Sequence, residues 1–342
     1  MTCRAWLLFV LLVCARASAA DRLAGQGAQP TGVTVSGVSA GGYMAVQFHI
    51  AHSLVVDGVG VLAAGPYYCA RGSAWSARYN CMDPGRWTPL PAVSELVGLT
   101  RTLAAAGQID PLSGLPPDRV WLFSGRQDRT VRREVTDALR QYYAALLPVA
   151  QIAFVTDIDA GHAMVTAEYG AGCATTAAPF LNDCDFDAAG ALLAQLYGVL
   201  QPPSAQPSGR LLAFDQREFA HSAFAESMDD QGFVYVPDAC STGACRVHVV
   251  FHGCRQGRES VGDAFVRHAG YSRWADTNRL IVLYPQAIAR SGWGPWPWPR
   301  SFVYNPNGCW DWWGYTGPLY HTRNGPQIRA VQAMVERLAQ PR

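Results

Sequence analysis

Lysine is absent: all 27 basic residues of this 342-residue chain are arginine. That excludes a Ser–Lys dyad, a Walker-A phosphate loop and a Schiff-base lysine together, because each needs the ε-amine. Net charge is also scarce, at +1, and no run of like charges occurs. Nucleic acid and anionic membrane are therefore not expected partners, and no protein partner is inferred. Arg126, Arg129, Arg132 and Arg133 do cluster and are read as the solvated face of a helix. Neither C-x-x-C nor H-E-x-x-H occurs, so no metal is expected. No internal repeat is present.

Residues 1–20 read as an export leader. Arg4 supplies the positive start, residues 6–13 an apolar core too short to cross a bilayer, and Ala17-Ser18-Ala19 the small-residue site for cleavage near Ala19/Ala20. The expected location is secreted or periplasmic. Without the leader the chain keeps 25 arginines against 26 acids and eight cysteines. An even count in an exported protein favours disulfides. The cysteines fall in near pairs: Cys69 and Cys81, Cys173 and Cys184, Cys240 and Cys245, Cys254 with Cys309. Spacing leaves the connectivity open.

With 49% hydrophobic residues, residues 21–342 can bury a large core. Strand-like runs at 33–35, 59–64, 120–124 and 151–156 alternate with helical stretches at 42–52 and 130–147. Such alternation predicts an α/β fold with a mostly parallel central sheet flanked by helices. The Pro/Ser stretch 201–209 then reads as a connector. Beyond it, 210–214 and 232–236 look like antiparallel strands, and 246–251 and 280–284 like central strands around a helix at 263–278. Neither half has a complete sheet, so one sheet shared by both is expected rather than a second independent domain.

Gly37-Val38-Ser39-Ala40-Gly41 lies between a strand and a helix, the setting of a nucleophile elbow that exposes a serine on a tight turn. A serine hydroxyl needs a base, and the base an orienting acid. In α/β-hydrolases these follow the serine on loops after successive strands. Here strand 120–123 runs into Asp128, and strand 152–155 runs into Gly161-His162. Asp118 precedes its strand and Asp137 is mid-helix; Asp157 and Asp159 flank the histidine as reserve candidates. His49, His52, His221, His268 and His321 are read as packing or surface groups.

The run into His252-Gly253-Cys254 matches the strand-to-His-Gly loop that builds oxyanion holes in lipases and esterases. The amide of Cys254, paired with that of Ala40, is the expected donor set, while His252 shapes the loop. That loop ordinarily precedes the nucleophile, yet here it follows His162. Placing residues 210–342 before residues 30–200 restores the usual order, so a circularly permuted α/β-hydrolase is inferred, with the connector joining former termini.

Six of the 11 tryptophans lie at 293, 296, 298, 310, 312 and 313, among prolines and glycines, with Tyr304, Tyr315 and Tyr320 nearby. An indole-rich loop suits an apolar or sugar-like ligand, although Trp312 or Trp313 could equally cap the core. A Cys254–Cys309 bridge would put Trp310 nearest the reacting bond.

The motifs Gly37–Ala45, Ser124-Gly125 through Asp128-Arg129-Thr130-Val131, Gly161-His162, His252-Gly253-Cys254 and Cys309-Trp310-Asp311-Trp312-Trp313-Gly314-Tyr315 together resemble the single-domain, circularly permuted poly(3-hydroxybutyrate) depolymerases. The resemblance covers nearly all of the chain after the leader. It implies Ser39 as nucleophile, His162 as base, Asp128 as its partner, amides of Ala40 and Cys254 as oxyanion hole, and Trp310 as a wall of the substrate cleft. It implies hydrolysis of hydroxybutyrate esters through an acyl-enzyme, without cofactor. Many exported members carry a separate substrate-binding domain, and none is expected here; amorphous polymer or soluble oligomers are the expected substrates. A carbohydrate esterase acting on feruloyl or acetyl groups is the alternative, and a non-catalytic polymer-binding protein a third reading.

Overall fold

The apolar runs assemble into one eight-stranded sheet whose strands come from both halves of the chain. The structure, a computed structural model, describes residues 20–293 and 302–342. Residues 1–19 of the expected leader, and Trp296 and Trp298 of the indole loop, lie outside the described residues. In chain order the strands are β1 (Val33–Val38), β2 (Val56–Leu62), β3 (Arg119–Phe123) and β4 (Ile152–Val155). A small side sheet follows, made of β5 (Met164–Thr166), β6 (Ala171–Gly172) and β7 (Leu181–Asp183). The main sheet resumes with β8 (Arg210–Asp215), β9 (Gln231–Val236), β10 (Arg246–Phe251) and β11 (Leu280–Tyr284), and β12 (Arg290–Trp293) pairs with β13 (Phe302–Asn305) as a separate hairpin.

The sheet order is β4-β3-β2-β1-β10-β11-β9-β8. Neighbours from β4 to β11 run parallel, whereas β9 is antiparallel to both β11 and β8. Read from β8 to the C-terminus and then from β1 to β4, the strands fall across the sheet in the order 1-2-4-3-5-6-7-8. The sheet is thus that of a circularly permuted α/β-hydrolase. Its joints are visible. Amides of Gln26 and Ala28 donate to the Leu338 carbonyl, each at 3.0 Å, so the last helix ends against the entrance to β1. An unpermuted chain would run straight on there. Connector 201–209 instead lies on the surface, where Ser204 and Gly209 bond to Arg273 and Asp276.

Helices cover both faces: α1 (Ala40–Ala51), α2 (Ala74–Tyr79), α3 (Val93–Ala105), α4 (Arg133–Ala144), α5 (Ala188–Tyr197), α6 (Arg258–Val261), α7 (Ala264–His268), α8 (Tyr271–Asn278) and α9 (Pro326–Ala339). One core forms where α1, α3, α4 and α9 meet the sheet, a second where α5, α7 and α8 meet it. Period-two alternation divides β10 between them, with Val247, Val249 and Phe251 facing the first core and Val250 the second. On the second face His248 is buried between Thr34 Oγ1 at 2.6 Å and Ser36 Oγ at 2.8 Å. Every residue of α1 is buried, as a helix buried on all sides must be.

Two expectations change. The helix foreseen at 130–147 begins only at Arg133, so Arg126, Arg129 and Arg132 sit in the loop before it rather than on its face. The helix at 263–278 is two helices, because Gly270 at φ 92° breaks it between α7 and α8.

Candidate active site

Ser39 is the single residue between β1 and α1, and its backbone lies at φ 80°, ψ −118°. Such a conformation costs a non-glycine residue about 1–3 kcal/mol and survives only where the surroundings over-determine it. They do so here. A Cβ on Gly37 would fall 2.2 Å from the Gly41 carbonyl oxygen, and one on Gly41 would fall 2.2 Å from the Phe251 carbonyl oxygen of β10. Both flanking glycines are needed because backbone lies where a side chain would begin.

The loops after β3 and β4 bring Asp128 and His162 to this serine. Ser39 Oγ donates to His162 Nε2 at 2.8 Å, and His162 Nδ1 donates to Asp128 Oδ2 at 2.7 Å. A carboxylate only accepts, so the proton belongs on Nδ1 and Nε2 is left as acceptor for the hydroxyl. Asp128 Oδ1 is held by the amides of Thr130 at 2.8 Å and Val131 at 3.0 Å. The two loops pack on each other so closely that a Cβ on Gly125 would lie 2.2 Å from the Ala160 carbonyl oxygen. His162 is tied to the side-sheet region as well, its amide donating to Thr176 Oγ1 at 2.9 Å.

The other candidates are elsewhere. Asp118 is buried against His49 Nε2 at 2.9 Å, and His49 Nδ1 bonds the Tyr143 hydroxyl. Asp137 lies on α4. Asp157 and Asp159 are exposed, Asp159 facing Arg126. His268 stacks on Tyr169 and His321 on Tyr68.

Ala40 and Cys254 border the same cleft as Ser39. Among the described residues neither of their amides donates a hydrogen bond. His252 shapes this loop: its Nδ1 donates to the Gly253 carbonyl at 2.7 Å and its Nε2 accepts from the Ala287 amide at 3.0 Å. The Gly253 carbonyl and the Cys254 N–H belong to one peptide plane, so that bond sets where the Cys254 N–H points. Burial pushes the His252 imidazole down to about 4, which keeps it neutral and its tautomer fixed. Gln256 adds a second brace, accepting from the Gly253 amide at 2.8 Å and donating to the Phe180 carbonyl at 2.7 Å.

Four disulfides join Cys69 to Cys81, Cys173 to Cys184, Cys240 to Cys245 and Cys254 to Cys309. The last ties the His252-Gly253-Cys254 loop to the aromatic loop.

Ser39 sits where two lobes of a cleft meet. The larger, about 390 Å³, is apolar and walled by Tyr43, Met82, Val131, Trp312 and Trp313. Tyr43 stacks on Trp312 with ring centres 3.8 Å apart, and its hydroxyl donates to the Cys81 carbonyl. The smaller, about 170 Å³, lies on the His162 side, with Thr130, Phe180, Arg255 and Gln256.

Trp310 is not a wall of the cleft. Its side chain is completely buried and meets the Phe251 ring edge-on at 5.1 Å, behind the His252-Gly253-Cys254 loop. The chain turns at Asp311, whose buried carboxylate gathers the amides of Trp313, Gly314, Tyr315 and Thr316 and the Thr316 hydroxyl at 2.6–3.2 Å. That turn points residue 310 inward and presents the next two indoles to the cleft. Tyr43, Met82, Arg255 and Gln256 were missed by sequence reasoning. Tyr43 was findable, being one helical turn after Ser39; the others arrive from distant segments. Among the described residues no group of three His, Cys, Asp or Glu side chains is placed to hold a metal ion.

The permuted sheet order, with Ser39, His162 and Asp128 hydrogen-bonded at the strand ends, defines the class as an α/β-hydrolase of the Ser-His-Asp type. Comparison narrows this. The chain belongs to the poly(3-hydroxybutyrate) depolymerase family. It is 36% identical over 334 residues to the polyhydroxybutyrate depolymerase of Talaromyces funiculosus, covering 94% of this chain and 93% of that one. It is 44% identical over 315 residues to the poly(3-hydroxybutyrate) depolymerase of Delftia acidovorans, a match covering 90% of this chain but 60% of that longer relative. Among solved structures, the PHB depolymerase from Penicillium funiculosum superposes with a TM-score of 0.82 at 33% identity, covering 93% of this chain and 98% of that one. A PHB depolymerase variant complexed with an R3HB trimer superposes with a TM-score of 0.83, at the same identity and coverage. No family model matches the chain.

Proposed function

We propose that this protein is an exported serine esterase that hydrolyses poly(3-hydroxybutyrate), in amorphous form or as oligomers, through an acyl-enzyme. The observation that carries the reading is the Ser39–His162–Asp128 relay, with bonds of 2.8 and 2.7 Å, opening onto an apolar cleft. Ser39 Oγ attacks the ester carbonyl carbon as its proton passes to His162 Nε2. The amides of Ala40 and Cys254 receive the developing oxyanion, each contributing roughly 10²–10³ in rate. Collapse breaks the bond to the alcohol oxygen, which takes the proton from Nε2. Water then enters by the same base, and the hydroxy acid leaves Ser39.

The apolar lobe of Tyr43, Trp312 and Trp313 receives the acyl half. Residues 21–342 act as one catalytic domain after cleavage near Ala19/Ala20, a reading supported by the sheet shared between both halves. Export is supported by the four disulfides. Among the described residues no helix is long and apolar enough to cross a membrane. Mass spectrometry of products from amorphous polymer tests the reading, with wild type and Ser39→Ala compared. Monomer or oligomers should come from wild type alone. A folded, fluorophosphonate-reactive wild type that releases nothing would sink it.

A further inference from the structure

Among the described residues Arg255 is the one arginine bordering the lobe on the His162 side of Ser39, and no acidic residue borders that lobe. It also borders a shallow basin of about 480 Å³ just beyond, with Thr176, Phe180 and Ser260, again without an acid among the described residues. Its position is held tightly for an exposed residue. The backbone is left-handed at φ 56°, the preceding cysteine is bridged to Cys309, and the Arg255 amide donates to the Asn307 carbonyl at 2.7 Å. The guanidinium carbon lies 5.2 Å from the centre of the Phe180 ring. Among the described residues the guanidinium donates no hydrogen bond and forms no ion pair, so its N–H groups are free to meet a ligand. By contrast Arg78, in the apolar lobe, faces Asp83 at 3.6 Å.

Direction follows from the chemistry. His162 Nε2 returns its proton to the departing alcohol oxygen, so the alcohol half of the ester lies on the His162 side. In a chain of 3-hydroxy acids, the alcohol half of every ester is the half that continues toward the free carboxyl end. When few units follow the broken bond, a carboxylate enters the lobe that carries Arg255. An interior stretch of polymer would bring only a neutral ester carbonyl there, a weaker acceptor for a guanidinium.

We propose that Arg255 forms a subsite for the terminal carboxylate of an oligoester, so that the enzyme favours bonds near the carboxyl end of free-acid chains. The proposal rests on the polyester reading above and names a preference within it. The test compares kcat/KM for cleavage of hydroxybutyrate bonds in the (R)-3-hydroxybutyrate trimer as free acid and as methyl ester, using wild type, Arg255→Gln and Arg255→Lys. Each protein is first shown to label with a fluorophosphonate. Wild type should favour the free acid roughly two- to fivefold, as fits an exposed charge pair, and the preference should shrink with added salt. Arg255→Gln should bring the ratio close to one, with Arg255→Lys between. Equal rates on both trimers in wild type, or a preference that persists in Arg255→Gln, overturn the subsite and leave the esterase reading standing. No cleavage of either trimer overturns both.

Discussion

Asp311→Asn isolates the device that holds the aromatic wall. The carboxylate is buried, which works against its charge, and five donors at 2.6–3.2 Å work for it. The amide is the same size but can accept on one atom only. If its oxygen keeps the amides of Trp313, Gly314 and Tyr315, its NH₂ faces Thr316. The Thr316 hydroxyl can turn and accept, but the Thr316 N–H cannot and loses its partner. An orphaned buried donor costs about 1–3 kcal/mol, and three bonds lose the strength that a charged acceptor adds, so the total comes to about 2–4 kcal/mol. The residues that move are Trp312 and Trp313, not the triad. Urea unfolding should therefore show a lower midpoint, and KM for the hydroxybutyrate trimer should rise roughly tenfold, while kcat on a small acetyl ester stays within about threefold. A variant with wild-type midpoint and wild-type KM would refute the claim that this carboxylate sets the wall.

Other predictions address the neighbouring parts. Trp310→Ala should cost about 3–5 kcal/mol of stability by opening a cavity behind the oxyanion loop, whereas Trp313→Ala should raise KM for oligomers with the unfolding midpoint little moved. Calorimetry and trimer kinetics on both variants separate the two roles. Burial pushes His252 to about 4 and His248 to about 3. Both lie below the ordinary 6.5, so the unfolded chain binds protons that the folded one refuses. Their contribution is full above pH 6.5 and is lost progressively below it, down to about pH 4 for His252 and about pH 3 for His248, at up to about 1.4 kcal/mol per pH unit for each histidine. Urea midpoints measured at pH 7 and pH 5 check the sign; a midpoint that rises on acidification would contradict it. Removing the Cys254–Cys309 bridge as a double serine variant frees a loop closed across a separation of 55 residues. Loop entropy puts the loss at about 4 kcal/mol, and the oxyanion loop and aromatic wall should lose register together, seen as a joint fall in kcat and rise in KM.

Much of the fold was legible because it is written in local pattern. The observed strands at 246–251 and 280–284 match the apolar runs, since a strand buried on both faces is apolar along most of its length, the exception in β10 being His248, which Thr34 and Ser36 satisfy. The elbow was legible because glycine has no Cβ to collide with the crossing backbone. The break at Gly270 was not, for a lone glycine inside a helical pattern is as often tolerated as it is a stop. Loop order around Ser39, Asp128 and His162 could be argued from strand ends, but their meeting at hydrogen-bond distance depends on three segments packing together.

The sequence by itself determined the strand-and-helix alternation, the tight turn at Ser39, the order of acid and base after it, and the displaced His-Gly loop that betrayed the permutation. All of these depend on neighbours in the chain. Tertiary structure alone decided which indoles face the cleft. Trp310, Trp312 and Trp313 have nearly the same composition around them, and the turn at the buried Asp311 carboxylate sends Trp310 behind the cleft while Trp312, itself buried against Tyr43, and Trp313 border it. It also decided that Arg255 stands beside His162, because the segments carrying them are nearly a hundred residues apart and meet only when β10 inserts next to β1. Periodicity records which way a side chain points along its own strand or helix, but not which distant backbone will lie opposite it.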